Sequence, residues 1–199
     1  VSKGAATITV STEDGTYSQD CAVTVSNPAT NLTVDQSVLG LKKGEEGTVK
    51  VSLAGTLAGE VDETNLALDD TGASKAFKVV DNGDGSYTVT ALKTGSGSFV
   101  ITAGSLSQTV SVTVTNPAQK VELKKTSLSF TVGDASTKLS ATVSPADADD
   151  TTVSWTSSDS SIATVKDGVV TPLKAGTATI TATCGDKTAT LSLIHISEP

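Results

Sequence analysis

The sequence predicts an all-β protein made of repeated sandwich domains, and three observations lead to that prediction. Apolar and polar residues alternate in short runs such as 6–10 and 110–114, which is typical of strands buried on one face. No stretch of ten or more residues shows the 3.6-residue apolar period of an amphipathic helix. Several strands and their flanking turns also recur at fixed spacing along the 199 residues, as tandem domains do.

Two kinds of internal repeat divide the chain. Residues 26–29, Ser-Asn-Pro-Ala, recur as residues 115–118, Thr-Asn-Pro-Ala, so the offset is 115 − 26 = 89. A glycine followed by an alternating strand that ends in Ile-Thr begins at Gly4, Gly97 and Gly176. Each of these strands is followed by a turn and another alternating strand. The proline of each Asn-Pro-Ala junction fixes φ and removes a ladder donor, so we expect short, stiff linkers there.

These repeats predict the domain organisation. Residues 1–28 (the first hairpin) are the end of a truncated repeat, residues 29–117 (the middle repeat) are complete, and residues 118–190 (the third repeat) lack most of the last strand. Units of roughly 70–90 residues with about seven short strands are typical of immunoglobulin-like sandwiches. We therefore predict tandem immunoglobulin-like β-sandwich domains. Because the sequence contains no methionine, we expect the chain to be a processed product or a fragment.

The last nine residues, 191–199, fit neither the repeats nor their strand pattern. They spell Leu-Ser-Leu-Ile-His-Ile-Ser-Glu-Pro, which resembles the translation of a sequencing-library adaptor, so we expect a non-native tail. An unusual native terminus is the alternative. The one histidine, His195, lies in this segment. Leu191 and Leu193 nevertheless alternate well enough to stand in for the missing last strand.

The third repeat resembles a known family, the bacterial Ig-like domain, group 2. The similar runs are 121–134, 139–148, 153–159 with Trp155, 162–165 and 168–180. The first hairpin is similar to the end of another copy. The middle repeat departs from the pattern, because it has no equivalent of the tryptophan and its centre, 61–85, is longer and more acidic. The resemblance implies a secreted or cell-surface bacterial protein, since the family is abundant in adhesins and multidomain surface proteins.

The composition argues against several classes of function. With 14 basic and 22 acidic residues the net charge is -8, whereas proteins that bind nucleic acids or anionic membranes present a basic face. Every basic residue is lysine, so the bidentate clamp that arginine forms on phosphate is absent. One histidine is too few for a multi-histidine metal site or a histidine-based triad, and no run approaches the ~20 apolar residues of a membrane span. We expect a non-catalytic module without cofactor, nucleic-acid partner or membrane insertion.

Three acidic stretches are candidate calcium sites. Residues 81–85, Asp-Asn-Gly-Asp-Gly, have the composition of a calcium loop, but the glutamate that an EF-hand needs at position 12 is Leu92 here. Asn-Gly and Asp-Gly favour hairpin turns, and we predict a hairpin turn. For Asp69-Asp70 and for residues 147–150 we predict solvated acidic loops, with weak calcium binding as the alternative. The sequence therefore predicts no catalytic, cofactor-binding or metal-binding residue.

Two cysteines and one tryptophan complete the candidates. Cys21 and Cys184 lie in different repeats at positions that are not equivalent, so we expect two free, partly buried thiols and no disulfide between them. We expect Trp155 in the core of the third repeat, with a sugar-stacking platform as the alternative. The predicted core is Leu32, Val34, Leu41, Val51, Phe77, Val89 and Ile101 in the middle repeat, and Leu123, Phe130, Leu139, Val143, Trp155, Val165 and Ile180 in the third.

The sequence leaves three functions open. We favour a structural spacer that presents another domain of a secreted or surface-anchored bacterial protein, with the neighbouring repeats of the same chain as its partners. The first alternative is an adhesion module that binds a host protein or a carbohydrate, although aromatic residues make up only 3% of the chain and sugar platforms depend on them. The second is an accessory region of an extracellular carbohydrate-active enzyme.

Overall fold

Every regular element of the described chain is a β-strand. The computed structural model describes residues 2–57, 59–62, 65–72 and 75–197. Within these residues the all-β prediction is confirmed, and no helix is long and apolar enough to cross a membrane. The strands are β1 Gly4–Ser11, β2 Ser18–Val25, β3 Ala29–Val34, β4 Val38–Lys42, β5 Glu46–Gly55, β6 Ala67–Asp69, β7 Phe77–Asp81, β8 Ser86–Ala91, β9 Gly95–Ala103, β10 Leu106–Thr115, β11 Lys120–Leu123, β12 Ser127–Thr131, β13 Thr137–Lys138, β14 Ala141–Ser144, β15 Ser154–Ser157, β16 Ala163–Lys166, β17 Val169–Pro172, β18 Gly176–Cys184 and β19 Lys187–Ser197.

The chain forms two compact units, Val1–Thr115 and Asn116–Pro199. In the first unit, a two-stranded hairpin, β1-β2, precedes a sandwich of sheets β3-β5-β8-β7 and β4-β10-β9-β6. In the second, the sheet β12-β19-β18-β15 is accompanied by the smaller sheets β11-β14 and β13-β17-β16. In each sandwich an early strand pairs in parallel with the last one, β4 with β10 and β12 with β19. This antiparallel arrangement closed by one parallel pair is an immunoglobulin-like sandwich, as predicted.

The cores follow the predicted alternation. All fourteen predicted core residues are buried or are half-buried against an apolar cluster of their own repeat. Nine of the largest fully buried side chains were not named in the prediction. Three lie in the third repeat, namely Val170, Leu191 and Leu193, and six lie in the middle repeat, namely Val49, Tyr87, Phe99, Val110, Val112 and Val114.

The repeated glycine motif begins two residues earlier in the middle repeat than the sequence suggested. Each long hairpin starts at a glycine opposite a residue near the end of its second strand: Gly4 faces Val25, Gly95 faces Val114 and Gly176 faces Ile196. The proposed start at Gly97 is therefore wrong. The error arose because Gly95-Ser-Gly97-Ser presents two similar glycines, and only strand pairing distinguishes them. Gly95 and Gly176 also share a positive φ, 148° and 150°, a conformation that favours glycine.

The last strand of the third repeat extends into the segment predicted to be a tail. Strand β19 pairs with β18 so that Leu191 lies opposite Ile180, and Leu193 lies opposite Ala178. Leu191 and Leu193 are both fully buried and fill the inward positions of the missing strand, as their alternation suggested. Residues 198 and 199 of the predicted tail lie outside the described residues, and the non-native origin of 191–199 stays a prediction.

Candidate functional site

The segment 81–85 is the turn of a β-hairpin. It joins β7 to β8, and Asp81 pairs with Tyr87 across it. The backbone N–H of Asn82 donates to the carbonyl of Ser86 at 3.0 Å, and the N–H of Gly83 donates to Asp81 Oδ1 at 2.8 Å. Gly83 has a φ of 78°, in the left-handed region that hairpin turns require. The predicted hairpin turn is confirmed.

Five aspartates are engaged in a short local motif that was not predicted from the sequence. In five Asp-x-Ser/Thr segments, the aspartate Oδ1 accepts the backbone N–H two residues later, at 2.7 to 3.2 Å. In four of the five, the hydroxyl of that residue donates to the same oxygen at 2.6 or 2.7 Å. Such Asx turns fix loops locally. The five pairs are Asp14–Thr16, Asp69–Thr71, Asp84–Ser86, Asp150–Thr152 and Asp159–Ser161.

These hydrogen bonds lower the carboxyl pKa of all five aspartates. The hydroxyls of Thr12 and Thr16 lower the pKa of Asp14 from 3.8 to about 2. The same kind of bond lowers the pKa of Asp69, Asp84 and Asp159, and for Asp150 the backbone N–H of Thr152 is the larger cause. The charged carboxylates thus stabilise turns. Among the described residues, no group of three or more His, Cys, Asp or Glu is placed to hold a metal ion.

The Asn-Pro-Ala junction before the middle repeat is part of a buried hydrogen-bonded cluster. Asn27 is fully buried. Its carboxamide Nδ2 donates to the carbonyls of Leu57 and Glu60 at 3.2 and 3.1 Å, and its Oδ1 accepts the N–H of Leu57 at 2.9 Å. Its backbone N–H donates to the carboxylate of Asp62, and its carbonyl accepts the N–H of Asp62 at 2.9 Å. Both main-chain and side-chain groups of Asn27 are therefore satisfied.

The second Asn-Pro-Ala junction repeats this arrangement with the loop 147–150. The backbone N–H of Asn116 donates to Asp149 Oδ2 at 2.6 Å, and its carbonyl accepts the N–H of Asp149 at 2.8 Å. The carboxamide donates to the carbonyl of Asp147 at 2.9 Å, and Asn116 is only 4% exposed. Asp147, Asp149 and Asp150 are exposed, as the predicted solvated loop requires, but the bonds to Asn116 were not predicted. A signal was present, because both junctions have an aspartate at a similar spacing, 35 and 33 residues after the asparagine.

Trp155 belongs to the core, as predicted. It packs against two apolar clusters of the third repeat, one around Ile180 and one around Val121. Its indole also lies over Gly168, where an added Cβ would stand 3.3 Å from Trp155 Cζ2. Trp155 therefore contributes apolar packing and not an exposed stacking surface.

Both cysteines are free, as predicted, but neither is partly buried. Cys21 is exposed and Cys184 is buried, because no sheet of the described residues covers β2 whereas β18 lies in the sandwich. The thiol of Cys184 donates to the carbonyl of Asp150 at 3.4 Å. In the middle repeat, the fully buried hydroxyl of Tyr87 has no hydrogen-bond partner among the described residues, and burial raises its pKa.

The first hairpin exposes an apolar face that the other two long hairpins bury. Ile8 is 55% exposed and Val10 is 66% exposed on β1, and Val23 is 38% exposed on β2. At the base of the hairpin, Lys3 Nζ donates to the carbonyl of Val61 at 3.0 Å. No other sheet packs on this hairpin among the described residues.

Among known proteins, one family model matches part of the chain. Residues 117–194 match the family model for the bacterial Ig-like domain (group 2). The chain is 65% identical over 49 residues to an alpha-L-arabinofuranosidase of Bifidobacterium longum subsp. longum, a match of 24% of this chain and 5% of that protein. It is 45% identical over 87 residues to a 3-O-alpha-D-galactosyl-alpha-L-arabinofuranosidase of the same subspecies, or 43% of this chain and 7% of that protein. The chain thus matches a small part of either relative.

Solved structures that match this chain include those of a surface layer protein and of titin. Domains 4–9 of the surface layer protein SbsC match with a TM-score of 0.38 and 20% identity, over 99% of this chain and 35% of that chain. The titin domains z1z2, in complex with telethonin, match with a TM-score of 0.42 and 13% identity, over 88% of this chain and 100% of that chain. At such TM-scores, the fold assignment rests on the strand pairing within each unit.

Proposed function

Because residues 117–194 belong to the bacterial Ig-like domain family, group 2, we propose that the chain is a non-catalytic repeat region of a secreted or cell-surface bacterial protein. Its role is to space or present a functional domain carried elsewhere in that protein. The observation that supports this role is structural repetition. The middle and third repeats use equivalent long hairpins, which start at Gly95 and Gly176, and equivalent buried junctions at Asn27 and Asn116. Proteins built from such units gain length by adding repeats.

The relatives favour an accessory region of an extracellular carbohydrate-active enzyme as the setting of this spacer. Both curated relatives are named as arabinofuranosidases, and the chain matches only 5% and 7% of their lengths. In such a protein the catalytic domain would be separate from the repeats. Because one fold serves many functions, this setting needs its own test.

Sequencing the gene on both sides of this region is the direct test of the setting. We expect the same reading frame to encode a glycoside hydrolase domain. A frame that encodes an adhesin tip and an anchor without a hydrolase domain would contradict the enzyme setting, and the spacer role would then be tested separately.

The spacer role predicts how molecular length depends on repeat number. We would insert one and then two extra copies of residues 27–115 before residue 116 and measure the maximum dimension of each protein by small-angle X-ray scattering. Equal increments of length are expected, since each repeat contacts mainly its neighbours. A maximum dimension that does not grow with repeat number would contradict a spacer.

Adhesion is the competing function, and binding assays distinguish it. The whole chain would be applied to glycan arrays, to an arabinofuranosyl-containing polysaccharide and to host cells. The spacer proposal predicts no saturable binding to any of the three. Saturable binding to cells or glycans would instead favour the adhesion module.

A further inference from the structure

The two buried asparagines indicate where each sandwich begins. Asn27 and Asn116 belong to segments that the sequence presents as linkers, yet Asn27 is 0% and Asn116 is 4% exposed. Connecting residues between domains normally lie on the surface. The partners described above lie in the repeat that follows each asparagine. They are residues 57, 60 and 62 for Asn27 and residues 147 and 149 for Asn116.

The burial of Asn27 is matched by a glycine on the neighbouring strand. Gly55 pairs with Ala29 at the end of β5, and its missing side chain leaves the space that the Asn27 carboxamide occupies. A Cβ added at Gly55 would collide with the Oδ1 of Asn27. Because Gly55 has no positive φ in the left-handed region, backbone conformation does not explain the glycine, and the asparagine does.

We propose that the asparagine of each Asn-Pro-Ala junction is the first structural residue of the sandwich that follows it. The reciprocal bonds between Asn27 and Asp62, and between Asn116 and Asp149, form an N-terminal lock that closes one end of that sandwich. The middle repeat then begins at residue 27 and the third at residue 116. Only Ser26 separates β2 from the first lock, and no residue separates β10 from the second.

Substitutions in the whole chain test which repeat each asparagine serves. Asn27→Ala and Asp62→Ala would be compared with Asn116→Ala and Asp149→Ala, and strand-resolved amide hydrogen exchange would report the stability of both repeats in every variant. We expect exchange roughly tenfold faster or more in the repeat after the altered lock, because a buried polar group loses its partner. The repeat before it should keep its exchange rates.

Two controls separate the lock from a general effect of substitution. Asn31→Ala alters an exposed asparagine of β3, and Gly40→Ala adds a Cβ at a position with nothing within 4 Å; neither should change exchange. Gly55→Ala leaves Asn27 and Asp62 in place but fills the carboxamide space, so it should destabilise the middle repeat alone. Exchange that is unchanged in all five lock variants, or faster in the preceding repeat, would overturn the proposal.

Discussion

The first hairpin and the β9-β10 hairpin have the same sequence pattern and opposite environments. Ile8 and Phe99 occupy equivalent positions, four residues after the glycine that starts each hairpin. Phe99 is fully buried beneath the facing sheet, whereas Ile8 is 55% exposed. The comparison shows that strands with this alternation pair as a hairpin even where no described sheet covers them. Burial, and with it most of the stability, depends on a second sheet that the first hairpin lacks.

Truncation of the equivalent apolar residues should give the largest difference in stability loss between the two hairpins. We expect Phe99→Ala to lower the free energy of unfolding of the middle repeat by about 3–5 kcal/mol, because it leaves a cavity in a closed core. Ile8→Ala should change it by less than about 0.5 kcal/mol, as exposed substitutions usually do. Urea denaturation followed by strand-resolved hydrogen exchange would measure both. Equal losses would show that the first hairpin has a core of its own.

The comparison extends to the third repeat through the residues that pair with Ile8 in the first hairpin and with Ile180 in the third repeat. Leu191 faces Ile180 and is fully buried, whereas Cys21 faces Ile8 and is exposed. Leu191→Ala should cost about 2–5 kcal/mol, and Cys21→Ala about 0.5 kcal/mol or less. Trp155 is the one tryptophan, so its fluorescence reports unfolding of the third repeat. An unchanged urea midpoint for Leu191→Ala would contradict the burial of β19.

Substitution of turn glycines should give a smaller difference in stability loss between a sandwich and the first hairpin. Gly168 has a φ of 78° and its added Cβ would stand 3.0 Å from the carbonyl oxygen of Leu139, whereas Gly15 has a φ of 71° and open space around it. A left-handed non-glycine residue costs roughly 1–2 kcal/mol, so Gly168→Ala should lower the Trp155 unfolding midpoint. Gly15→Ala should leave the unfolding midpoints of both sandwiches unchanged. A lower sandwich midpoint in Gly15→Ala would link the hairpin turn to the cores.

The smallest expected effect is a local titration in the first hairpin. The carboxyl carbon of Asp14 should titrate with a pKa of about 2 instead of 3.8 if the turn forms without a covering sheet. Because the folded pKa is lowered, the contribution of this carboxylate is complete above 3.8 and is lost as the pH falls toward about 2. Thr12→Val with Thr16→Val should return the pKa toward 3.8. An Asp14 pKa of 3.8 in the unaltered chain would mean that the turn is not formed.

Much of the fold, but less of the junctions, follows from sequence alone. Alternation of apolar and polar residues predicts the strands because successive side chains of a strand point to opposite faces of the sheet. The predicted core residues accordingly lie inward. Register is not local, and the pair Gly95 and Gly97 shows the consequence: both fit the motif, and only pairing with β10 selects Gly95. Hydrogen bonds between Asn27 and Asp62 join residues 35 positions apart. The four-residue Ser-Asn-Pro-Ala motif contains no trace of that distant partner, and its proline therefore suggested a linker.

Native-state hydrogen exchange of the two equivalent hairpins tests the central claim most directly. The claim is that the same alternating pattern forms strands in both places and that only a covering sheet makes them stable. We expect the hydrogen-bonded amides of β9 and β10 to exchange only through global unfolding of the middle repeat. Amides of β1 and β2 should exchange orders of magnitude faster by local opening. Equal protection in 4–25 and 95–115 would contradict it.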